Sequence, residues 1–445
     1  MVTAVALAAA VALDPHPLRA RSEQAAAGEA VMTYPGPGWR FASPRTTITI
    51  RGTGAASLAG LRVTGSASGE HAGRLHALRL GSGAVFRPDA PFGAGERVTV
   101  RLPDAAGDDA RAFSFAIARP ARYAASDDDP GNPAKRAPPT RARRARQGCP
   151  LRSQRYVTRP GLRPTAFCLR RTAGSTPPAG HLLLTPRPGA RERLGEQHSA
   201  MLVSDAGRVL GFSRRPAKTH DLKVVEIGGR PLLALFQQTA KGGAYVLLDR
   251  RYREVRRIGA GNGYPVNSHE LQVTPRETAY VSAYARVRVG ASGRLVTDFV
   301  VQELDLVTGD VLFEWHALDH VSTAASFASR PAGGRSWDYF HGNAIEPPVP
   351  GTRTLLVSAR NTSAVYGIDS VTGSVRWILG GKADQFGLAA RHPAWRFCAQ
   401  HDARWMPNGD IMVFDNGGKA LTEGAPLCPV HPARVERFAV DVDRK

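Results

Sequence analysis

The chain has 445 residues, of which 42% are apolar, 46 are glycine and 33 are proline, and it carries a formal net charge of +21. That length supports two or three domains with ample core. So much glycine and proline argues against an architecture of long helices and for many short strands joined by turns.

Residues 1–31 read as a leader. Val2 to Leu13 are apolar and small, and Ala25-Ala26-Ala27 follows shortly before Val31. This is the pattern of a secretory h-region, although the usual positive charges ahead of it are missing, and an Ala-rich leader of no defined structure is the alternative. A stretch of twelve residues, apolar but for Thr3, is too short to cross a bilayer, and no later stretch is long and apolar enough. The expected location is secreted, periplasmic or at the cell surface.

Residues 32–120 change to alternating strands. Thr46 to Ile50, Leu61 to Val63, Ala84 to Phe86, Val98 to Leu102 and Ala112 to Ile117 come at short intervals with Gly and Pro between them. The spacing predicts a small immunoglobulin-like β-sandwich with a spacer or docking role, without the Cys-Trp-Cys mark of antibody domains. Residues 121–150 form a basic linker that contains Arg141-Ala142-Arg143-Arg144-Ala145-Arg146 and too little apolar area to fold. From Ala121 to Arg170 twelve basic residues stand against three acidic ones, so much of the net charge sits in one stretch. The high pI is therefore no sign of a nucleic-acid groove, and nucleic acid is not expected as a partner, although a basic arm attracts polyanions.

The four cysteines, Cys149, Cys168, Cys398 and Cys428, suit two local disulfides, Cys149–Cys168 and Cys398–Cys428. Each would stabilise by roughly 3 kcal/mol in the loop-entropy description. Buried free thiols are the alternative. No cysteine spacing fits zinc, and neither a metal nor a cofactor is expected.

Residues 151–445 carry two interleaved repeats. In the first, His341 precedes a short run to Glu346, a Pro-rich turn follows, and Thr354 to Ala359 returns to Arg360. An antiparallel pairing sets His341 and Arg360 side by side. His401 leads through Pro407-Asn408-Gly409-Asp410 to a strand ending at Asn416, and His269 leads to one ending at Tyr284. His220 begins a fourth copy that reaches Gln237. In the second repeat, Leu304-Asp305 with Thr308-Gly309 and Trp315 matches Ile368-Asp369 with Thr372-Gly373 and Trp377. Repeats of roughly forty to seventy residues holding about four strands each predict propeller blades, whose inner strands bring residues at corresponding positions to one channel mouth. The fold expected is all-β: a six-bladed-type β-propeller preceded by the sandwich. About five blades are accounted for, so the propeller is expected to be incomplete at its C-terminus and the chain a truncated fragment.

The segments Asp338 to Asn343, Ser358 to Ser363, Val371 to Lys382 and Gln400 to Asn416 together resemble the arylsulfotransferase family of β-propeller enzymes, and the likeness extends more weakly back to residue 151. The resemblance implies transfer of a sulfuryl group from an aryl sulfate donor to a phenolic acceptor through a transient sulfohistidine, without a nucleotide sulfate donor. It places His401 as the nucleophile and His341, Arg360 and His269 around the sulfate. Asn343, Tyr284 and Asn416 would line the substrate and complete hydrogen bonds at the mouth. The residue after His401 is Asp402, a departure from the pattern.

The chemistry suits these residue types. Imidazole is a competent nucleophile near neutral pH. Arginine pairs two oxygens of an anion at once and stays charged. Two readings of other classes stand beside this one: a propeller that binds sulfated or other anionic ligands without turnover, and a cell-surface interaction protein using the sandwich and linker. Oligomeric state is open, and a homodimer is an allowed arrangement.

Overall fold

The computed structural model describes residues 31–103, 112–121, 154–169, 180–186, 195–216, 218–239, 242–332, 334–388, 397–417, 431–442 and 444. The expected leader up to residue 30, the linker from residue 122 onward, Cys149 and Cys428 lie outside the described residues. Among those described, Cys168 and Cys398 are bonded cysteines, not free thiols, and no helix is long and apolar enough to cross a membrane. The chain is all-β and its sheets are antiparallel. Residues 154–259 form one compact unit; residues 31–121 and 260–444 form another.

The second unit begins with eight strands: β1 (Met32–Tyr34), β2 (Ile48–Arg51), β3 (Arg62–Gly65), β4 (Gly69–Glu70), β5 (Gly73–Ala77), β6 (Gly83–Pro88), β7 (Arg97–Arg101) and β8 (Ala112–Ala116). They make two four-stranded sheets, in the orders β1-β2-β6-β5 and β4-β3-β7-β8. Ile48, Ile50 and Phe86 from one sheet share a core with Val63, Val98, Val100 and Phe115 from the other. The strict alternation of Arg97-Val98-Thr99-Val100-Arg101, with only the two valines buried, explains why β7 was legible. The strands not foreseen, β1, β4 and β5, are all at sheet edges. β5 has no fully buried residue and hence no apolar alternation to read.

The first unit holds β9 (His181–Leu184), β10 (Ser199–Ser204) and β11 (Val209–Arg214) in one sheet. A second sheet runs through β12 (Thr219–Ile227), β13 (Arg230–Thr239), β14 (Gly242–Leu248) and β15 (Glu254–Ile258) in sequential order. Ala200, Leu235, Val246 and Leu248 join the two sheets in a common core.

Among the described residues, the remaining strands of the second unit make three successive meanders. They are β16 (Val266–Val273), β17 (Thr278–Val289), β18 (Arg294–Asp305) and β19 (Val311–His316); β20 (Gly342–Glu346), β21 (Thr354–Ala359), β22 (Ala364–Asp369) and β23 (Val375–Gly380); and β24 (His401–Trp405), β25 (Ile411–Asp415) and β26 (Arg434–Phe438). In each sheet the strands lie in sequence order, as in propeller blades. The first strands β16, β20 and β24 are neighbours in space. The Thr-Gly repeat has a common physical cause. Asp305 Oδ1 accepts from the backbone N–H of Val307 and Thr308, and Asp369 Oδ1 from those of Val371 and Thr372. Each aspartate thereby closes the turn before the last strand of its sheet.

The sandwich is docked on the first of these meanders. Arg79 pairs with Asp305 at 2.9 Å, Arg87 with Asp310 at 2.6 Å, and Thr49 Oγ1 donates to the Val311 carbonyl at 2.5 Å. The docked face reads as a packed interface rather than a free-standing spacer.

Candidate functional site

The hairpin geometry expected from spacing holds on all three inner strands. Gly342 pairs with Ala359, and the backbone N–H of Arg360 donates to the His341 carbonyl at 3.0 Å, so the two side chains start from adjacent positions. His401 pairs with Phe414, two residues before Asn416.

Each inner strand also carries a bulge at its histidine, which turns the side chain away from ladder geometry. The register shifts between Val266 and Leu271, between Gly342 and Ala344, and between His401 and Arg404. β12 of the first unit does the same between His220 and Lys223. Asp221 and Asp402, which follow His220 and His401, have φ of 53° and 54°, and His341 has 52°. Aspartate tolerates this left-handed region better than most residues. The Asp402 departure is therefore a bulge residue. Gly342 is demanded by a close approach, since a Cβ there would lie 2.3 Å from the Phe299 ring.

The bulges bring three imidazoles together. Ring centroids of His269 and His341 are 5.5 Å apart and those of His269 and His401 are 6.1 Å apart. Tyr284 lies 5.5 Å from His341 and 6.1 Å from His269. Every imidazole has its Nδ1 held. His269 Nδ1 meets Asn267 Oδ1 at 2.6 Å; that oxygen already accepts the His269 backbone N–H, so the ring nitrogen is the donor. His341 Nδ1 donates to the Asp338 carboxylate. His401 Nδ1 lies 2.9 Å from Asn416 Oδ1 and 3.2 Å from the Ala399 carbonyl, which can only accept. All three rings therefore carry Nδ1–H, which leaves Nε2 as the nitrogen for chemistry.

The electrostatics separate the rings. Desolvation of the half-buried His401, then the positive charges of His341 and Arg360, push its pKa from 6.5 down to about 4, so it is neutral at physiological pH. Burial alone would raise Asp338, but His341 and Arg360 outweigh it and hold the carboxyl below the usual range. Arg360 is 5% exposed, and its Nε donates to Asn361 Oδ1 at 3.0 Å, which orients the guanidinium. It does not pair with Asp402, which instead meets Arg404 at 2.7 Å.

The residues expected to line the substrate hold the frame. Tyr284 Oη donates to the Gly342 carbonyl at 2.6 Å, and Asn343 Nδ2 to the Gln400 carbonyl at 2.8 Å. Asn416 holds His401. His220 belongs to the first unit, where its ring is 6.2 Å from Phe236. Two functional partners escaped the sequence reading. Asp338 and Asn267 stand three and two residues before their histidines, and that proximity of an acceptor was the available signal.

An all-β chain whose successive meanders deliver three imidazoles and a buried guanidinium to one place defines a protein of propeller-like sheets with an anion-competent centre. The chain belongs to the arylsulfotransferase (ASST) family, whose profile matches residues 223–445. That span contains every histidine of the cluster and Arg360. No curated protein matches the chain.

Among solved structures the chain is similar to Kluyveromyces lactis Hsv2, at 12% identity over 55% of this chain and 69% of that one, with a TM-score of 0.27. It is similar to Myxococcus xanthus glutaminyl cyclase at 13% identity, over 56% and 85%, with a TM-score of 0.25. A structural genomics protein of unknown function from Bacteroides thetaiotaomicron aligns at 10% identity over 83% and 78%, again with a TM-score of 0.25. Likenesses at this level carry no argument about fold or activity.

Proposed function

We propose that this protein is an exported aryl sulfotransferase that works through a sulfohistidine at His401. The observation that carries the reading is the cluster of three Nδ1–H imidazoles, with His269 5.5 Å from His341 and 6.1 Å from His401, next to Arg360, in a chain of this family.

In the first half-reaction His401 Nε2 attacks the sulfur of an aryl sulfate. The S–O bond to the phenol breaks, and the departing phenolate takes the Nε2 proton of His341. Asp338 balances the charge of His341 while the ring is protonated and keeps its orientation. In the second half, a phenol acceptor returns its proton to His341 and attacks the sulfur; the N–S bond breaks and neutral His401 is restored. Arg360 and His269 stabilise the sulfuryl oxygens. A weakly basic His401 suits both halves, since it stays unprotonated for attack and is a good leaving group afterwards.

The reading extends to the whole chain. Residues 151–445 form a six-bladed-type propeller, the strands between residues 32 and 120 an immunoglobulin-like domain, and residues 1–31 an export signal. Cys149–Cys168 and Cys398–Cys428 are the disulfide pairs.

The test is incubation with 4-nitrophenyl sulfate and a phenol, with intact mass recorded after donor alone. Added sulfuryl mass and nitrophenol release, both lost in His401→Ala, are the expected result. Full turnover by His401→Ala removes the mechanism. Anion binding without turnover in the wild type favours a ligand-binding propeller.

A further inference from the structure

A second set of charges lies one to five residues past the histidines of the same inner strands, outside the roles given above. Arg404 Nη2 is 2.6 Å from Glu270 Oε2 and 2.7 Å from Asp402 Oδ1. Its Nη1 donates to the Ile345 carbonyl at 3.1 Å and lies 3.5 Å from Glu346 Oε2. Glu270 Oε2 also accepts from the Ile345 backbone N–H at 3.4 Å, and its side chain is only 2% exposed. One guanidinium on β24 thus bonds to β16 and β20 as well as to its own strand. Burial opposes its charge, but Glu270, Asp402 and Glu346 outweigh that and hold the guanidinium firmly protonated.

The location matters because β16, β20 and β24 belong to three separate sheets and share no hydrogen-bonded ladder with one another. Backbone pairing fixes each histidine within its own sheet. The spacing between histidines of different sheets depends on side chains, at the point where bulges interrupt all three strands. Glu270 directly follows His269, Asp402 directly follows His401, and Ile345 is four residues past His341.

We propose that Arg404, clamped to Glu270, is a positioning residue that sets the distance between His269, His341 and His401 so that they converge on one tetrahedral anion. The proposal deepens the sulfuryl-transfer reading and rests on it for its consequence in turnover, but anion binding tests it separately. A planar fork reaches three strands at once, which an ammonium cannot do. A shift of about 1 Å between reacting groups costs on the order of 10²-fold in rate.

The experiment compares full-length wild type with Arg404→Lys, Arg404→Met and Glu270→Gln. Thermal midpoint, inorganic sulfate affinity by calorimetry, and kcat and KM for 4-nitrophenyl sulfate are measured on each. Arg404→Lys is expected to fold, to bind sulfate about tenfold more weakly, and to lose about 10²-fold in kcat with a smaller change in KM. If the wild type binds sulfate without turnover, the sulfotransferase reading fails while the affinity arm still decides the clamp. A folded Arg404→Lys protein with sulfate affinity within about twofold of wild type overturns the positioning role. So does unfolding of all three variants, which makes the cluster a folding element, and so does a wild type with neither sulfate binding nor turnover.

Discussion

His401 is distinguished from its neighbours by what surrounds it. Desolvation and two cationic neighbours depress its pKa to about 4, so the sulfuryl burst is expected to stay level from neutral pH to about 5 and to fall as pH passes through about 4. Arg360→Met removes one positive neighbour, makes protonation easier, and should move that acid limb upward toward the ordinary imidazole value; a pH profile of burst amplitude measures it. His401 is more acidic in the fold than in the unfolded chain. The stability it contributes is present above 6.5 and is lost as pH falls from there toward about 4. Asp338→Asn keeps the side-chain shape but not the charge behind His341, and steady-state turnover should drop by about 10²–10⁴-fold. The histidines and Arg360 were legible because their spacing from turns repeats. Asp338 and Asn267 were not assigned, because which ring nitrogen is held is a matter of local fold, not of spacing.

At the level of elements, a strand that opens on His-Asp is a bulge signal. Asp402 sits at φ 54°, where a β-branched side chain is strained. Asp402→Val should cost about 1–2 kcal/mol beyond the loss of the Arg404 contact, and Asp402→Gly should relieve the backbone part; chemical denaturation of the two variants separates these effects. The Asp-x-x-Thr-Gly turns are a second readable signal. Asp369 Oδ1 serves two backbone donors, and Arg353 also pairs with it at 2.8 Å. Asp369→Ala leaves those donors without their carboxylate and should cost about 1–3 kcal/mol. The edge strand β5 carried no such signal, since none of its residues is fully buried, whereas the edge strand β8 alternates and was legible.

The whole second unit depends on a contact between sandwich and meander that strand patterns do not encode. At this junction His316 bridges Asp298 at 2.7 Å and Glu314 at 3.0 Å, both buried. Glu314 accepts from Asn262 at 2.7 Å, and Asn262 in turn accepts from the Thr47 backbone N–H of the sandwich at 3.1 Å. Burial would lower His316, but the two carboxylates outweigh it and raise its pKa to about 10. The stability it contributes is complete below about 6.5 and is lost as pH rises toward about 10. Thermal midpoints between pH 6 and 10 should show that decline. His316→Gln should flatten it and cost about 3–5 kcal/mol at neutral pH by leaving the carboxylates uncompensated.

What the sequence determined by itself is local: where strands turn, which residues open each inner strand, and the family to which the repeated pattern belongs. Those follow from turn chemistry and alternation, whose range is a few residues. Only the tertiary structure decided that each inner strand bulges at its histidine, that each imidazole is held through Nδ1, and that Arg404 spans three strands. Those contacts join residues as far apart as Glu270 and Arg404, and no periodicity in the chain records which side chains meet across sheets that share no backbone ladder.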